Sequence, residues 1–158
     1  MMPSKTPAIP EGMHTITPHI TVRNAAQAID FYKRAFGAEE LGRSLTPDGK
    51  VMHAAIRIGD SMIMMNDEFP NMGSSSAETL GGTNITLHIQ TEDVDSLFDR
   101  AVKAGAKATM PVADQFWGDR YGQVLDPFGQ RWSLATRVEQ LTSEEVEARA
   151  KAFFAKAG

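Results

Sequence analysis

The sequence predicts an α+β fold: two βαβββ modules forming a curved mixed sheet around a cavity, with a C-terminal helix appended. Three observations carry this prediction. Residues 14–22 and 83–90 each alternate apolar and polar side chains with the two-residue period of a half-buried strand. Each run leads into an amphipathic helical stretch with an N-capping residue, and each helix is stopped by a Gly-Ala pair, at Gly37 and at Gly105. Further strand-like runs follow each helix, so the whole order of elements repeats.

In the first run Ile16, Pro18, Ile20 and Val22 point one way, while Thr15, Thr17, His19 and Thr21 point the other. Asn24 then caps a helix with Gln27 three residues on, and Ala28, Ile29, Tyr32 and Phe36 share one helical face. Strands are expected over 41–45, 51–58 and 61–66, separated by Thr46-Pro47-Asp48-Gly49 and by the tight Gly59-Asp60 turn. Residues 67–82, with Pro70, Gly73, Ser74 to Ser76, Gly81 and Gly82, read as a flexible link without periodic pattern.

In the second half Ile85, Leu87 and Ile89 oppose Asn84, Thr86, His88 and Gln90, and Asp93 caps a helix striped by Val94, Leu97, Phe98, Ala101 and Val102. Strands are expected over 107–112, 121–125 and 130–136. Thr-x-His-Ile occurs in both halves, at 17–20 and 86–89. Thr142 with Glu145 makes a capping box for a last helix, whose Val146, Ala150, Phe153 and Phe154 form a face to dock on the domain or on a second subunit. The expected organisation is a loose tail over 1–13, one domain over 14–138 (modules 14–66 and 83–138, link 67–82) and the C-terminal helix over 139–158.

At 158 residues the chain has length for one core or two small fused units, burying about 70% of its unfolded surface. A net charge of −4 and a pI near 5.5 argue against a nucleic-acid partner, which needs a concentrated basic surface. There is no cysteine, hence no disulfide framework and no thiolate nucleophile or ligand. No apolar run approaches the roughly 20 residues of a membrane span, and residues 1–12 lack the apolar core of a signal peptide. The expectation is a soluble cytoplasmic protein without membrane or nucleic-acid partners.

Phe116-Trp117-Gly118-Asp119-Arg120-Tyr121-Gly122, followed by Asp126-Pro127-Phe128-Gly129-Gln130-Arg131-Trp132, is too glycine-broken for a helix interior and too aromatic to expose idly. It reads as a loop beside a pocket and a hairpin turn. This stretch resembles the signature end of the vicinal oxygen chelate superfamily, the glyoxalase, bleomycin-resistance and dioxygenase proteins, and most closely its PhnB-like branch. The resemblance covers residues from about 14 to 136 and implies paired βαβββ modules, commonly a homodimer, with a small-molecule ligand in a trough.

In metal-dependent members of that superfamily, four residues from the first and last strand of each module chelate a divalent ion. The resemblance carries those positions to Thr17, Met64, Asn84 and Ser133, a thioether and weak neutral donors that do not suit Mg, Mn, Ni or Fe. A shift of two residues would bring in His19, with Met62 or Asn66 on the fourth strand, and the Thr-x-His-Ile match favours it. The expected function is therefore binding of a small organic molecule in a metal-free cavity, of sequestration or resistance type, with no cofactor and no catalytic residue assigned. The alternative is a divalent-metal lyase, isomerase or dioxygenase using His19 and His88.

The candidate ligand-binding residues are Thr17, His19, Met64, Asn84, Thr86, His88, Trp117, Arg120, Tyr121 and Ser133. His19 and His88 have two readings, ligand contacts or hydrogen-bonded polar residues. Trp117, Arg120 and Tyr121 either rim the cavity, with the guanidinium forking onto an anion, or pin a loop through an Asp119–Arg120 pair. Met62, Met64 and Met65 are a malleable pocket wall or plain core. His14 and His53 read as surface or structural, and Trp132 as core.

Overall fold

Pairing partners decide where each expected strand begins. In the computed structural model, which describes residues 5–157, β1 is His19–Val22 rather than 14–22, and it runs parallel to β4, Ser61–Asp67, with His19 opposite Met64. Carried backwards, that register would set Ile16 against Ser61, where β4 is only emerging from its hairpin, and Pro18 has no N–H to give a ladder. Residues 14–17 therefore stay outside the sheet. Ile16, expected beneath a helix, is 84% exposed. Thr17, expected on the strand, precedes it and donates its hydroxyl to the His14 carbonyl at 3.5 Å.

The second half repeats this correction. β5 is Thr86–Gln90, parallel to β8, Arg131–Arg137, with His88 opposite Ser133. The same register would pair Asn84 and Ile85 with Gly129 and Gln130, which belong to the turn before β8. Both residues therefore lie before β5, and Ile85 is 56% exposed instead of covered.

The chain divides into two compact units, Met1–Thr79 and Leu80–Gly158. In the first, α1 (Ala25–Phe36), β2 (Glu39–Leu45) and β3 (Val51–Ile58) join β1 and β4 in a sheet of order β1-β4-β3-β2. The expected cap forms, Asn24 Oδ1 accepting from the Gln27 N–H at 3.1 Å, and the helix ends at Gly37. Ile29, Phe31, Tyr32 and Phe36 of α1 are buried, as are Ile20, Val22, Ala54, Ile56, Ile63 and Met65 of the sheet face beneath it. Each large apolar side chain so covered stabilises by about 1.5–3 kcal/mol, and Ala25, Ala26, Ala28 and Ala35 add favourable helix propensity.

Carboxylates fasten the ends of these elements. Asp67 accepts from the Ala25 N–H through Oδ1 and from the Val51 N–H through Oδ2, both at 2.7 Å, tying the start of α1 to the start of β3. Residues 67–82, expected to lack pattern, carry a 3-10 turn at Pro70–Met72 and the short helix α2 at Ala77–Leu80. Glu68 Oε1 accepts from the Ser76 N–H (2.7 Å), the Ser76 hydroxyl (2.5 Å) and the Thr79 hydroxyl, which orders this segment.

The second unit contains β5, α3 (Val94–Ala104), β6 (Lys107–Asp114), β7 (Asp119–Leu125) and β8 in the order β5-β8-β7-β6. Helix α3 packs on β6, β7 and β8. Gly122 makes that packing possible, because a Cβ there would lie 2.9 Å from Val112 Cγ2 and 3.1 Å from Phe98 Cε2. The Asp-Pro-Phe-Gly turn is held by a buried carboxylate: Asp126 accepts from the Phe128 and Gln130 N–H groups and, at 2.9 Å, from Trp132 Nε1. Trp132 is core, as its sequence position implied.

Helix α4 (Ser143–Ala157) starts with the expected capping box, Thr142 Oγ1 accepting from the Glu145 N–H at 3.2 Å. None of its residues is buried; Phe153 and Phe154 instead meet the Phe116 ring, with centroids 5.1 and 6.3 Å away, and Arg149 forks onto Glu139. Among the described residues no helix is long and apolar enough to cross a membrane.

Two outcomes follow from this packing. Gly122→Ala is expected to destabilise the protein by about 1–3 kcal/mol through overpacking, read as a lower urea midpoint at unchanged m; an unchanged midpoint would mean that α3 does not press on β7. The second concerns acid. Hydroxyls of Ser76 and Thr79 and the Ser76 N–H pull Glu68 from 4.5 down to about 2, so the folded state binds this proton less readily than the unfolded chain. Its contribution is complete above pH 4.5 and fades as pH falls toward 2. Glu68→Gln should therefore lower the urea midpoint at pH 7 and differ progressively less from the parent below pH 4.5; a gap independent of pH would contradict it.

Candidate functional site

Strand alternation leaves one face of the first sheet without a helix, and the polar residues of β1 and β4 gather there. The ladder sets His19 beside Met64 and Thr21 beside Asn66. Asn66, 8% exposed, is the hub: its Oδ1 lies 2.7 Å from His19 Nε2 and accepts from the Thr21 hydroxyl at 3.3 Å, while its Nδ2 donates to the Asp67 carbonyl at 2.6 Å and to Ser74 Oγ at 3.0 Å. Ser74 reaches this face because its loop is pinched shut by paired backbone bonds with Phe69, of 3.1 and 3.2 Å. Thr21 Oγ1 and Ser74 Oγ are 3.1 Å apart.

These four residues floor a pocket of about 580 Å³ whose walls include Met52, Phe69 and Met72. Among the described residues no Lys, Arg, Asp or Glu lines it. The His53 ring stands edge-on to His19, with centroids 6.1 Å apart, so this histidine neighbours the site. Met65 is core, whereas Met62 and Met64 are half-buried on the polar face.

A second pocket in the same unit, about 350 Å³, lies at the start of α1 among Arg23, Lys50, Asp48, Asp67 and Glu68. Its carboxylates are committed to the fold: Asp67 to two backbone N–H groups, Glu68 to Ser76 and Thr79, Asp48 to the Thr46 hydroxyl. Arg23 meets Glu78 at 3.5 Å. These charges hold backbone and leave little for a ligand.

In the second unit the equivalent face bears Thr86, His88 and Gln90 of β5, Ser133 of β8, and Tyr121 and Gln123 of β7. Both ring nitrogens of His88 are engaged, Nδ1 with Ser133 Oγ at 2.7 Å and Nε2 with Gln90 Oε1 at 2.8 Å. The ring stacks near Tyr121 (6.3 Å, 17°), which meets Trp117 edge-on at 5.4 Å and accepts a hydrogen bond from Gln123 at 2.8 Å.

Arg120, the neighbour of Tyr121, necessarily points to the opposite face, where its fork is filled. It donates to Asp95 of α3 at 2.7 and 2.9 Å and to Asp114 of β6 at 3.2 Å. Hydrogen bonding to these two carboxylates pushes the guanidinium upward and, in return, holds Asp95 below its usual range. Asp119, the partner expected for Arg120, instead accepts from Trp117 Nε1 at 2.9 Å.

The structure thus brings His19 and Met64 together in one unit, and Thr86, His88, Ser133, Tyr121 and Trp117 in the other. Thr17 and Asn84 fall before the strands. Sequence reading weighed Asn66 only as an alternative fourth-strand position for a metal and gave no ligand role to Ser74, Phe69, Met52 or Met72. An amide next to the Met64-Met65 pair in an otherwise apolar strand was the available signal for Asn66; the loop residues gave none, because a backbone bridge has no side-chain period.

A divalent centre can be tested against these donors. The ladder offers His19 with Met64 and His88 with Ser133, a thioether and a hydroxyl beside imidazoles already bonded to Asn66, Ser133 and Gln90. Hard divalent ions are held by carboxylates and several imidazoles, and stable sites need three or four such ligands. Among the described residues no three His, Asp or Glu side chains converge. The residues present do not fit the metal.

Comparison with known proteins agrees with the architecture. The chain is 50% identical over 136 residues to Rv0887c of Mycobacterium tuberculosis (84% of this chain, 80% of that one). It is 31% identical over 139 residues to YjdN of Escherichia coli K12 (75% and 92%). Among solved structures it resembles TioX from Micromonospora sp. ML1, at a TM-score of 0.64 and 25% identity over 79% of this chain and 99% of that one. The Arabidopsis thaliana At5g48480 product gives a TM-score of 0.64 at 28% identity over 78% and 98%. With residues 12–134 matching the family model as well, the chain belongs to the Glyoxalase/Bleomycin resistance protein/Dioxygenase superfamily.

Proposed function

We propose that the protein sequesters a small organic molecule, without a divalent ion, in the pocket on the polar face of its first sheet. The observation that carries this reading is the pocket itself, with a hydrogen-bonded polar floor and methionine and phenylalanine walls. Its volume of about 580 Å³ falls in the range of roughly 300–1,000 Å³ typical of drug-sized ligands, whereas the charged pocket near α1 is smaller and its acids are spent. Thioethers on unbranched stems adapt to varied ligand shapes, which suits a resistance or sequestration role better than a single-substrate one.

The His88, Ser133, Tyr121 and Trp117 face of the second unit, with Thr86 at its edge, is by itself a second candidate surface for an aromatic ligand. Assignment to the PhnB-like branch is supported by the Phe-Trp-Gly-Asp-Arg-Tyr-Gly run, and a cytoplasmic homodimer is the working form.

Ligand-observed NMR screening of planar aromatic compounds, followed by calorimetry, tests the site. Hits are expected to lose about tenfold in affinity, near 1.4 kcal/mol, in Phe69→Ala and in His19→Ala, with thermal melting confirming that both variants fold. Hits that keep their affinity in those variants and lose it in Trp117→Ala would move the site to the second unit and overturn this reading.

A further inference from the structure

Resting on that pocket, we infer the class of ligand it takes: an uncharged, largely apolar molecule that donates an N–H or O–H to His19 Nδ1. The inference comes from the direction of the hydrogen bonds in the floor. A backbone carbonyl can only accept, so the Asn66 atom 2.6 Å from the Asp67 carbonyl is its NH₂ group, and the amide orientation is fixed. Its other hydrogen goes to Ser74 Oγ at 3.0 Å.

Asn66 Oδ1 is consequently the atom facing His19, and an amide oxygen is an acceptor only. At 2.7 Å His19 Nε2 must therefore carry the proton. In the neutral imidazole the other nitrogen, Nδ1, is left with a lone pair. The Thr21 hydroxyl donates to the same Asn66 oxygen at 3.3 Å, so its remaining capacity is to accept, and Ser74 Oγ lies within 3.1 Å to supply that proton. The donors of the floor are spent among themselves, and what His19 offers a ligand is an acceptor.

Charge selects in the same direction. Among the described residues no Lys or Arg lines the pocket, and Lys50 reaches only the Phe69 ring, 5.4 Å from its centroid, so a carboxylate or phosphonate would gain no direct ion pair and would meet an acceptor lone pair at the floor. With no Asp or Glu there, a fixed cation gains no ion pair either. The Met52, Phe69 and Met72 walls favour an apolar body. A phenol, an amide or an azole N–H on an aromatic framework satisfies all three conditions.

Three probes of equal framework separate the terms at pH 8: 2-naphthol, its methyl ether 2-methoxynaphthalene, and 2-naphthoate. Calorimetry on the full-length protein is expected to rank naphthol first, about three- to tenfold tighter than the ether, the value of one net hydrogen bond, with naphthoate weakest. In His19→Phe the naphthol advantage should vanish while the ether still binds. Long-range ¹H–¹⁵N spectra of the imidazoles, with His19 assigned from that variant, should show the Nε2–H tautomer, and naphthol should shift the Nδ1 resonance. Equal affinities for naphthol and ether, preference for naphthoate, or an Nδ1–H tautomer would overturn the ligand class while leaving the pocket standing. Failure of all three probes to shift any of the residues Thr21, Asn66 or Phe69 would overturn the pocket reading and this inference with it.

Discussion

The parallel ladder between β1 and β4 is the constraint from which the first unit's site follows. It fixes His19 opposite Met64 and Thr21 opposite Asn66, and alternation then sends Ile20 and Val22 under α1. A slip of one residue would exchange the two sets and bury an imidazole and a hydroxyl beneath an apolar helix, so the register is strongly specified. Polar side chains from two adjacent strands are thereby held within hydrogen-bond reach of one another. The second unit uses the same device to set His88 opposite Ser133.

Several acidic residues are spent on backbone, on hydroxyls and on arginine. Asp67 clamps α1 to β3, Glu68 orders the segment around α2, Asp126 holds the hairpin turn and the Trp132 indole, and Asp95 with Asp114 captures Arg120. A carboxylate satisfying backbone N–H groups is a good structural anchor but is no longer a free base or metal ligand. The polar faces are left with imidazole, amide, hydroxyl and thioether groups. Those donors suit recognition of an organic molecule and suit a hard cation poorly.

Much of this was legible in the sequence, for local reasons. The caps at Asn24, Asp93 and Thr142, the helix stops at Gly37 and Gly105, the burial of Ile20, Val22 and Trp132, and the repeated βαβββ order all depend on residues close in sequence. The starts of β3, β4 and β6 were legible, but those of β1 and β5 were not, because Ile16 and Ile85 continue the alternation perfectly yet have no neighbouring strand to bond to. One of the two readings of Arg120 set it with Tyr121 on one rim, although consecutive strand residues face opposite ways, and the other paired it with Asp119 rather than with Asp95 and Asp114. The pocket walls from Phe69 and Met72 depend on the bridge between Phe69 and Ser74 and on the grip of Glu68 on Ser76, bonds within one irregular segment that leave no period in the chain.

The most direct test of a ligand pocket against a metal centre is elemental analysis of the protein purified without chelator and then equilibrated with Ni, Zn, Mn and Fe. With His19 offering a single lone pair, at Nδ1, and both nitrogens of His88 engaged, too few ligands converge to hold an ion, so no metal should remain at stoichiometric level after desalting, and His19→Ala should behave as the parent does. One tightly held equivalent in the parent, lost in His19→Ala, would contradict the account.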